Sequence, residues 1–194
     1  MKTALPAALN NTDLIKEVMP FWYTLKYSTK TKQSSITDLY APANPSVPIS
    51  VPLAAMRSAN LQIIPTITDG TEKGVLAGLL KAPASRKQVV DTIMNLVRTN
   101  NFDGIDIDFE GFAFVDPNTT WKATAPSWVA FIKELSVALR AENKLLSVAT
   151  PYVLDPAGKQ KGYFVYAWAE IASSIDKCKA FKVDINSIKV VGAY

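Results

Sequence analysis

The stretch Phe102-Asp103-Gly104-Ile105-Asp106-Ile107-Asp108-Phe109-Glu110-Gly111-Phe112 decides how this chain folds. Side chains on a β-strand point alternately to opposite faces, so Ile105, Ile107 and Phe109 share one side and Asp106, Asp108 and Glu110 share the other. Such alternation commonly marks an antiparallel strand with one face in water. The surroundings point elsewhere. On both sides of the run, short apolar segments alternate with helical patterns, as in repeated βα units around a parallel sheet. Strands of that kind are covered on both faces, so the three carboxyls point inward. Burying them is costly unless hydrogen bonds, shifted pKa values or a cation compensate, which favours a functional reading over a structural one. A metal site is the chemical rival, because clustered carboxylates suit hard cations. A calcium loop counted from Asp106 would need its last acid at Pro117, and Ile107 and Phe109 suit a strand better than that loop. The reading therefore uses no metal and no cofactor.

Working outward, the other candidate strands are Val18 to Leu25, Leu61 to Thr68, Leu145 to Thr150 and one near the C-terminus. A helix is expected from Ser85, where Ser85 and Gln88 form a capping box and Val89, Val90, Ile93, Leu96 and Val97 make an apolar stripe ending at Asn100-Asn101. A second starts near Pro126 and places Trp128, Ile132, Leu135 and Leu139 on one face. Leu5 to Leu14 reads as a further helix. The proline-rich segment Tyr40 to Pro52 reads as an extended loop.

The composition narrows the chemistry. The chain has 194 residues, 48% of them apolar and 20% charged, enough for one globular domain with a substantial core. A net charge of +4 is scattered over many lysines without a basic stripe, which excludes nucleic acid as the expected partner. There is no histidine, so Ser-His and Cys-His nucleophile pairs, histidine metal sites and imidazole bases are all excluded. The lone Cys178 has no internal disulfide partner. Pro6 and the polar run Asn10-Asn11-Thr12-Asp13 interrupt the first residues, so no signal peptide is expected, and no stretch reaches the roughly 20 apolar residues of a membrane span.

Asp103-Gly104-Ile105-Asp106-Ile107-Asp108-Phe109-Glu110 resembles the DGxDxDxE signature of glycoside hydrolase family 18, the chitinase-like hydrolases. Four acids and a glycine at fixed places arise by chance at roughly one starting position in a million on average residue usage, so the match is specific. The resemblance implies an α/β fold, a (β/α)8 TIM barrel with Phe102 to Glu110 as strand four. Residues 1–194 then form a single partial catalytic domain holding about strands two to six, because a full barrel takes about 250 residues.

The resemblance also implies retaining cleavage of β-1,4 links between N-acetylglucosamine units, with the substrate's own acetamido group replacing the second carboxylate. In that scheme Glu110 protonates the leaving oxygen and Asp108 steadies the acetamido group. Alternate strand residues lie about 6.6 Å apart, so Asp106 and Asp108 are expected to keep Glu110 protonated by like-charge repulsion. Asp103 and Gly104 are the structural part of the motif. Sugar-stacking rings are expected among Phe21, Trp22 and Tyr23 and among Phe112, Phe114 and Trp121, against ordinary core packing for each. The family's Met-x-Tyr-Asp group falls either on Phe181-Lys182-Val183-Asp184, with Val183 in the tyrosine place, or on Val191-Gly192-Ala193-Tyr194, with Tyr194 as the tyrosine. The implied partner is chitin or another N-acetylglucosamine polysaccharide, and full-length relatives would be secreted. Two rival readings stay open. One is a sugar-binding member of the same fold, a type that lacks the acid found here as Glu110. The other is an inactive truncated fragment.

Overall fold

The computed structural model describes residues 4–151 and 162–180. A short helix, α1 (Ala4–Asn10), precedes β1 (Glu17–Val18) and the long strand β2 (Phe21–Ser28), which turns back as β3 (Gln33–Asp38). Then come α2 (Tyr40–Ala43), α3 (Ser50–Ser58), β4 (Gln62–Ile63), β5 (Thr66–Asp69), α4 (Val75–Lys81) and α5 (Pro83–Thr99). The motif strand β6 (Gly104–Asp108) is followed by α6 (Gly111–Phe114), α7 (Trp121–Arg140), β7 (Leu145–Thr150), α8 (Trp168–Ile171) and β8 (Lys177–Ala180).

The main sheet has the order β3-β2-β5-β6-β7-β8. Each neighbouring pair from β2 to β8 is parallel, and β3 adds an antiparallel edge. β1 and β4 form a separate two-stranded parallel pair. Five parallel strands joined by helical crossovers reproduce the expected run of βα units.

Register fixes the faces. Ile67 pairs with Ile107 and Ile107 with Val148, while Ile105 pairs with Leu146. This apolar face lies under the helices, where α4, α5 and α7 pack on one another and α7 on β7. The predicted stripes do the burying: Val89, Ile93 and Val97 from α5, and Trp128, Ile132, Leu135 and Leu139 from α7, are almost entirely out of water. Each such side chain contributes about 1.5–3 kcal/mol of transfer free energy. The opposite face carries the row Thr66, Asp106 and Ser147, and above it Thr24, Thr68 and Asp108.

Several local expectations are corrected. α5 begins at Pro83, two residues before the expected cap. Proline's fixed φ and missing N–H suit a first helical turn. Ser85 Oγ instead donates to the carbonyls of Leu79 and Ala82, and the Gln88 side chain accepts the Ser34 N–H and donates to Lys32 O, bracing the edge hairpin. α7 starts at Trp121, so Pro126 lies inside it rather than at its head. The first helix stops at Asn10 instead of reaching Leu14. The segment read as loop holds α2 and the start of α3: Asp38 Oδ1 accepts the N–H groups of Tyr40 and Ala41, and Pro52 sits in the first turn of α3, where no helical bond is lost.

Candidate active site

The acidic side of β6 rises through three environments. At the bottom, Asp106 is fully buried and accepts a 2.7 Å hydrogen bond from Thr66 Oγ1. One step up, Asp108 is partly exposed at the end of the strand. Glu110 comes two residues later, between β6 and α6, with φ −93° and ψ −3°. Asp108 and Glu110 open into a cavity of about 380 Å³ walled also by Phe21, Asp69, Phe114 and Asp116. The cavity stands at the C-terminal ends of the parallel strands, where barrel enzymes place their chemistry.

The start of the motif is structural in its contacts. Asp103 Oδ2 accepts the Ile63 N–H at 2.8 Å, tying β4 to the head of β6. At Gly104 a Cβ would stand 2.3 Å from the carbonyl oxygen of Leu145, so only glycine lets β6 and β7 approach this closely.

Burial raises the pKa of Glu110 above its ordinary value, because a half-enclosed carboxylate loses hydration that its protonated form does not need. The direction is the one expected from the sequence. The cause is desolvation, in place of the like-charge repulsion expected from Asp106 and Asp108. Asp69 at the end of β5 behaves similarly: burial raises its pKa, the N–H and hydroxyl of Thr71 pull it down, and Asp116 raises it again. The Asp69 carboxyl lies directly over Gly111, where a Cβ would meet Oδ2 at 2.5 Å. Asp116 Oδ1 in turn accepts the Gly74 N–H at 2.7 Å and fastens the segment after α6 to the loop before α4. Among the described residues no three His, Cys, Asp or Glu side chains gather into a set that could hold a metal ion.

The aromatic candidates separate. Trp22 and Tyr23 are 4% and 5% exposed and take no part in the cavity wall. Tyr23 pairs with Ile67 and packs on Phe102, so it belongs to the helix side of the sheet, where burial and then Asp38 push its phenol up to about 12. Trp22 meets Tyr40 edge to face. Phe112 is enclosed by Trp128 and Tyr166. Trp121 donates Nε1 to Phe112 O at 2.5 Å and packs against Tyr163 and Phe164, outside the cavity wall. Phe21 and Phe114, each 60% exposed, line it instead. Tyr194, Val183 and the whole of Phe181 to Asp184 lie outside the described residues.

Sequence reasoning missed Asp69, Asp116 and Tyr166. An acid at a strand's C-terminal end was the available signal for Asp69. Nothing in the sequence marks Tyr166, whose hydroxyl meets the Phe109 carbonyl only after residues 57 apart are brought together.

A parallel sheet with a carboxyl pair at the strand ends above β6 is an α/β arrangement of the barrel kind. The chain matches the sequence profile of Glycosyl hydrolases family 18 over residues 22–187, and it belongs to that family. A chitinase from Chromobacterium violaceum superposes with a TM-score of 0.68 at 16% identity, covering 93% of this chain and 52% of that one. A family 18 chitinase from Cycas revoluta, solved in complex with (GlcNAc)3, gives 0.61 at 17% identity over 92% of this chain and 51% of its own. In sequence, the protein named "Probable endochitinase" of Caenorhabditis elegans is 33% identical over 91 residues, which are 44% of this chain and 14% of that protein. The chain thus spans about half the length of the solved structures it matches.

Proposed function

We propose that this site performs retaining hydrolysis of β-1,4 links between N-acetylglucosamine units, with Glu110 as acid and the substrate's acetamido oxygen as nucleophile. The observation that carries the reading is the half-buried Glu110 carboxyl, its pKa raised, opening with Asp108 into one cavity at the strand ends. A carboxyl that keeps its proton to higher pH than an exposed glutamic acid suits a general acid. Glu110 gives its proton to the glycosidic oxygen as the C1–O bond breaks, and the acetamido carbonyl oxygen bonds to C1 from the other face. The Asp108 carboxylate steadies the resulting oxazolinium cation. Water then attacks C1 as the bond from C1 to the acetamido oxygen breaks and its electron pair returns to the acetamide; the water loses a proton to Glu110, which restores the acid and retains the anomeric configuration.

The exposed rings of Phe21 and Phe114 offer apolar faces to a sugar. Chitin-type polymers are the substrate class. Glu110→Gln in the full-length protein keeps the shape and removes the transferable proton, so turnover of a chitooligosaccharide should fall by about a hundred- to ten-thousand-fold. Near-normal turnover would sink the assignment. Rapid cleavage of a substrate without N-acetyl groups would defeat the substrate-assisted route.

A further inference from the structure

The turn that carries Glu110 is gripped by one hydroxyl. Tyr166 closes the short 3-10 turn Phe164–Tyr166 and is fully buried. Its ring stands edge-on to Trp128, with centroids 5.6 Å apart, and leans on Phe112. Trp128 Nε1 donates to the Tyr166 carbonyl at 3.0 Å, so ring and backbone are both fixed. From this anchored position the Tyr166 hydroxyl donates to the carbonyl oxygen of Phe109 at 2.8 Å. Phe109 immediately precedes Glu110, so the hydroxyl fixes the main chain directly beside the residue that holds the acid.

On the helix side the Glu110 carbonyl accepts the N–H groups of Ala113 and Phe114, so the Tyr166 bond to Phe109 is the tie on the strand side. Burial first, then the carboxyls of Glu110, Asp108 and Asp69, raises the Tyr166 pKa, so the hydroxyl stays a neutral donor.

We propose that Tyr166 is a positioning residue for Glu110, its hydroxyl clamping the Phe109 carbonyl and so holding the acid's carboxyl in its half-buried place. The kinetic part rests on the reading of Glu110 as general acid; the structural part does not. A hydroxyl that only filled the core would leave the titration of Glu110 where it is. A clamp would not, because a loosened turn lets the carboxyl reach more water and its pKa relaxes towards the ordinary value. The groups that face or surround Glu110 are Asp108 from β6, Asp69 from β5, Tyr166 from its turn, and Glu72, Lys73 and Asp116 round the cavity. Tyr166→Phe removes none of their charges.

The experiment uses the full-length protein and two readouts. The Glu110 carboxyl is titrated by 13C NMR in the parent and in Tyr166→Phe, and kcat and KM are measured across pH on a chitooligosaccharide. Tyr166→Phe should lower the Glu110 midpoint, move the basic limb of the kcat profile the same way, and reduce kcat about ten- to a hundredfold with KM within about twofold. Tyr40→Phe is the control. It deletes a buried hydroxyl that has no hydrogen-bond partner and should leave both readouts alone. An unchanged Glu110 midpoint in Tyr166→Phe overturns the proposal, as does a loss of kcat with an unmoved basic limb. A lowered midpoint in a protein that cleaves nothing would support the clamp while refuting the assigned reaction. If Tyr166→Phe does not fold, Trp128→Phe, which frees the Tyr166 carbonyl, should shift the midpoint in the same direction, and no shift there overturns the clamp.

Discussion

Gly104→Ala tests the packing on which the active-site strand depends. The added methyl carbon would stand 2.3 Å from the carbonyl oxygen of Leu145 and 2.9 Å from its carbonyl carbon, whereas ordinary contact begins near 3.4 Å. The obstacle is backbone, so no rotamer relieves it. β6 must move away from β7 by about 1 Å at this end, where the Leu145 N–H donates to Asp103 O at 2.9 Å. Overpacking of this kind costs about 1–3 kcal/mol, and a weakened backbone bond adds about 1 kcal/mol. The sum, about 2–4 kcal/mol, is a large share of the roughly 5–15 kcal/mol that stabilises a typical domain. For a chain of this size it lowers Tm by about 5–15 °C. Thermal melts and urea titrations measure it. Gly78→Ala is the matched comparison, because a Cβ there meets nothing within 4 Å inside α4. It should add about 0.5–1 kcal/mol by trimming unfolded-state freedom and improving helix propensity. A Gly104→Ala protein within about 0.5 kcal/mol of its parent would refute the close-approach argument.

Two further outcomes are expected. Asp69 has a folded pKa above its ordinary 3.8, so the folded chain holds this proton more tightly than the unfolded chain. That contribution is present below the ordinary value and is lost as pH rises through the raised one, so Asp69→Asn should raise Tm at pH 7 and give little at pH 3. Equal effects at the two pH values would contradict the burial argument. Thr66→Val withdraws the hydroxyl bonded to the buried Asp106 and should cost about 1.5–3 kcal/mol in chemical denaturation, whereas a change within about 0.5 kcal/mol would show that the bond has little worth.

What the sequence made legible follows from how local each signal is. Ile105, Ile107 and Phe109 against Asp106, Asp108 and Glu110 specify their faces through strand geometry alone, and the stripes of α5 and α7 likewise need only helical periodicity. β3 escaped notice because Gln33–Asp38 contains one apolar residue, Ile36. Its existence rests on pairing with β2 and on the Gln88 side chain reaching across. The helices after β3 were hidden by prolines that sit harmlessly in or before first turns. Pro126 misled in the other direction, since α7 starts five residues earlier behind the anchored Trp121 indole. The aromatic candidates divided by a rule that spacing could not supply. A β-bulge in β2 between Phe21 and Tyr23 shifts its register against β5, leaving Phe21 in the cavity wall and Tyr23 under the helices. Strand alternation gives the direction of the Glu110 shift and not its cause, because part of the enclosure comes from residues 68–74, distant in sequence.

The strand order also says how such a chain can assemble. Within the main sheet each parallel strand docks on the parallel strand that precedes it in the chain, and the antiparallel β2–β3 hairpin needs only its own turn. Each parallel pairing in the main sheet therefore joins neighbouring βα units, an order that suits stepwise growth as the ribosome delivers each unit. Among the described residues one ion pair spans far more of the chain: Lys177 on β8 pairs with Glu17 on β1, across 160 residues. Nascent chains can lay down β2 to β7 in order, with the Glu17–Lys177 contact closing only after β8 has arrived.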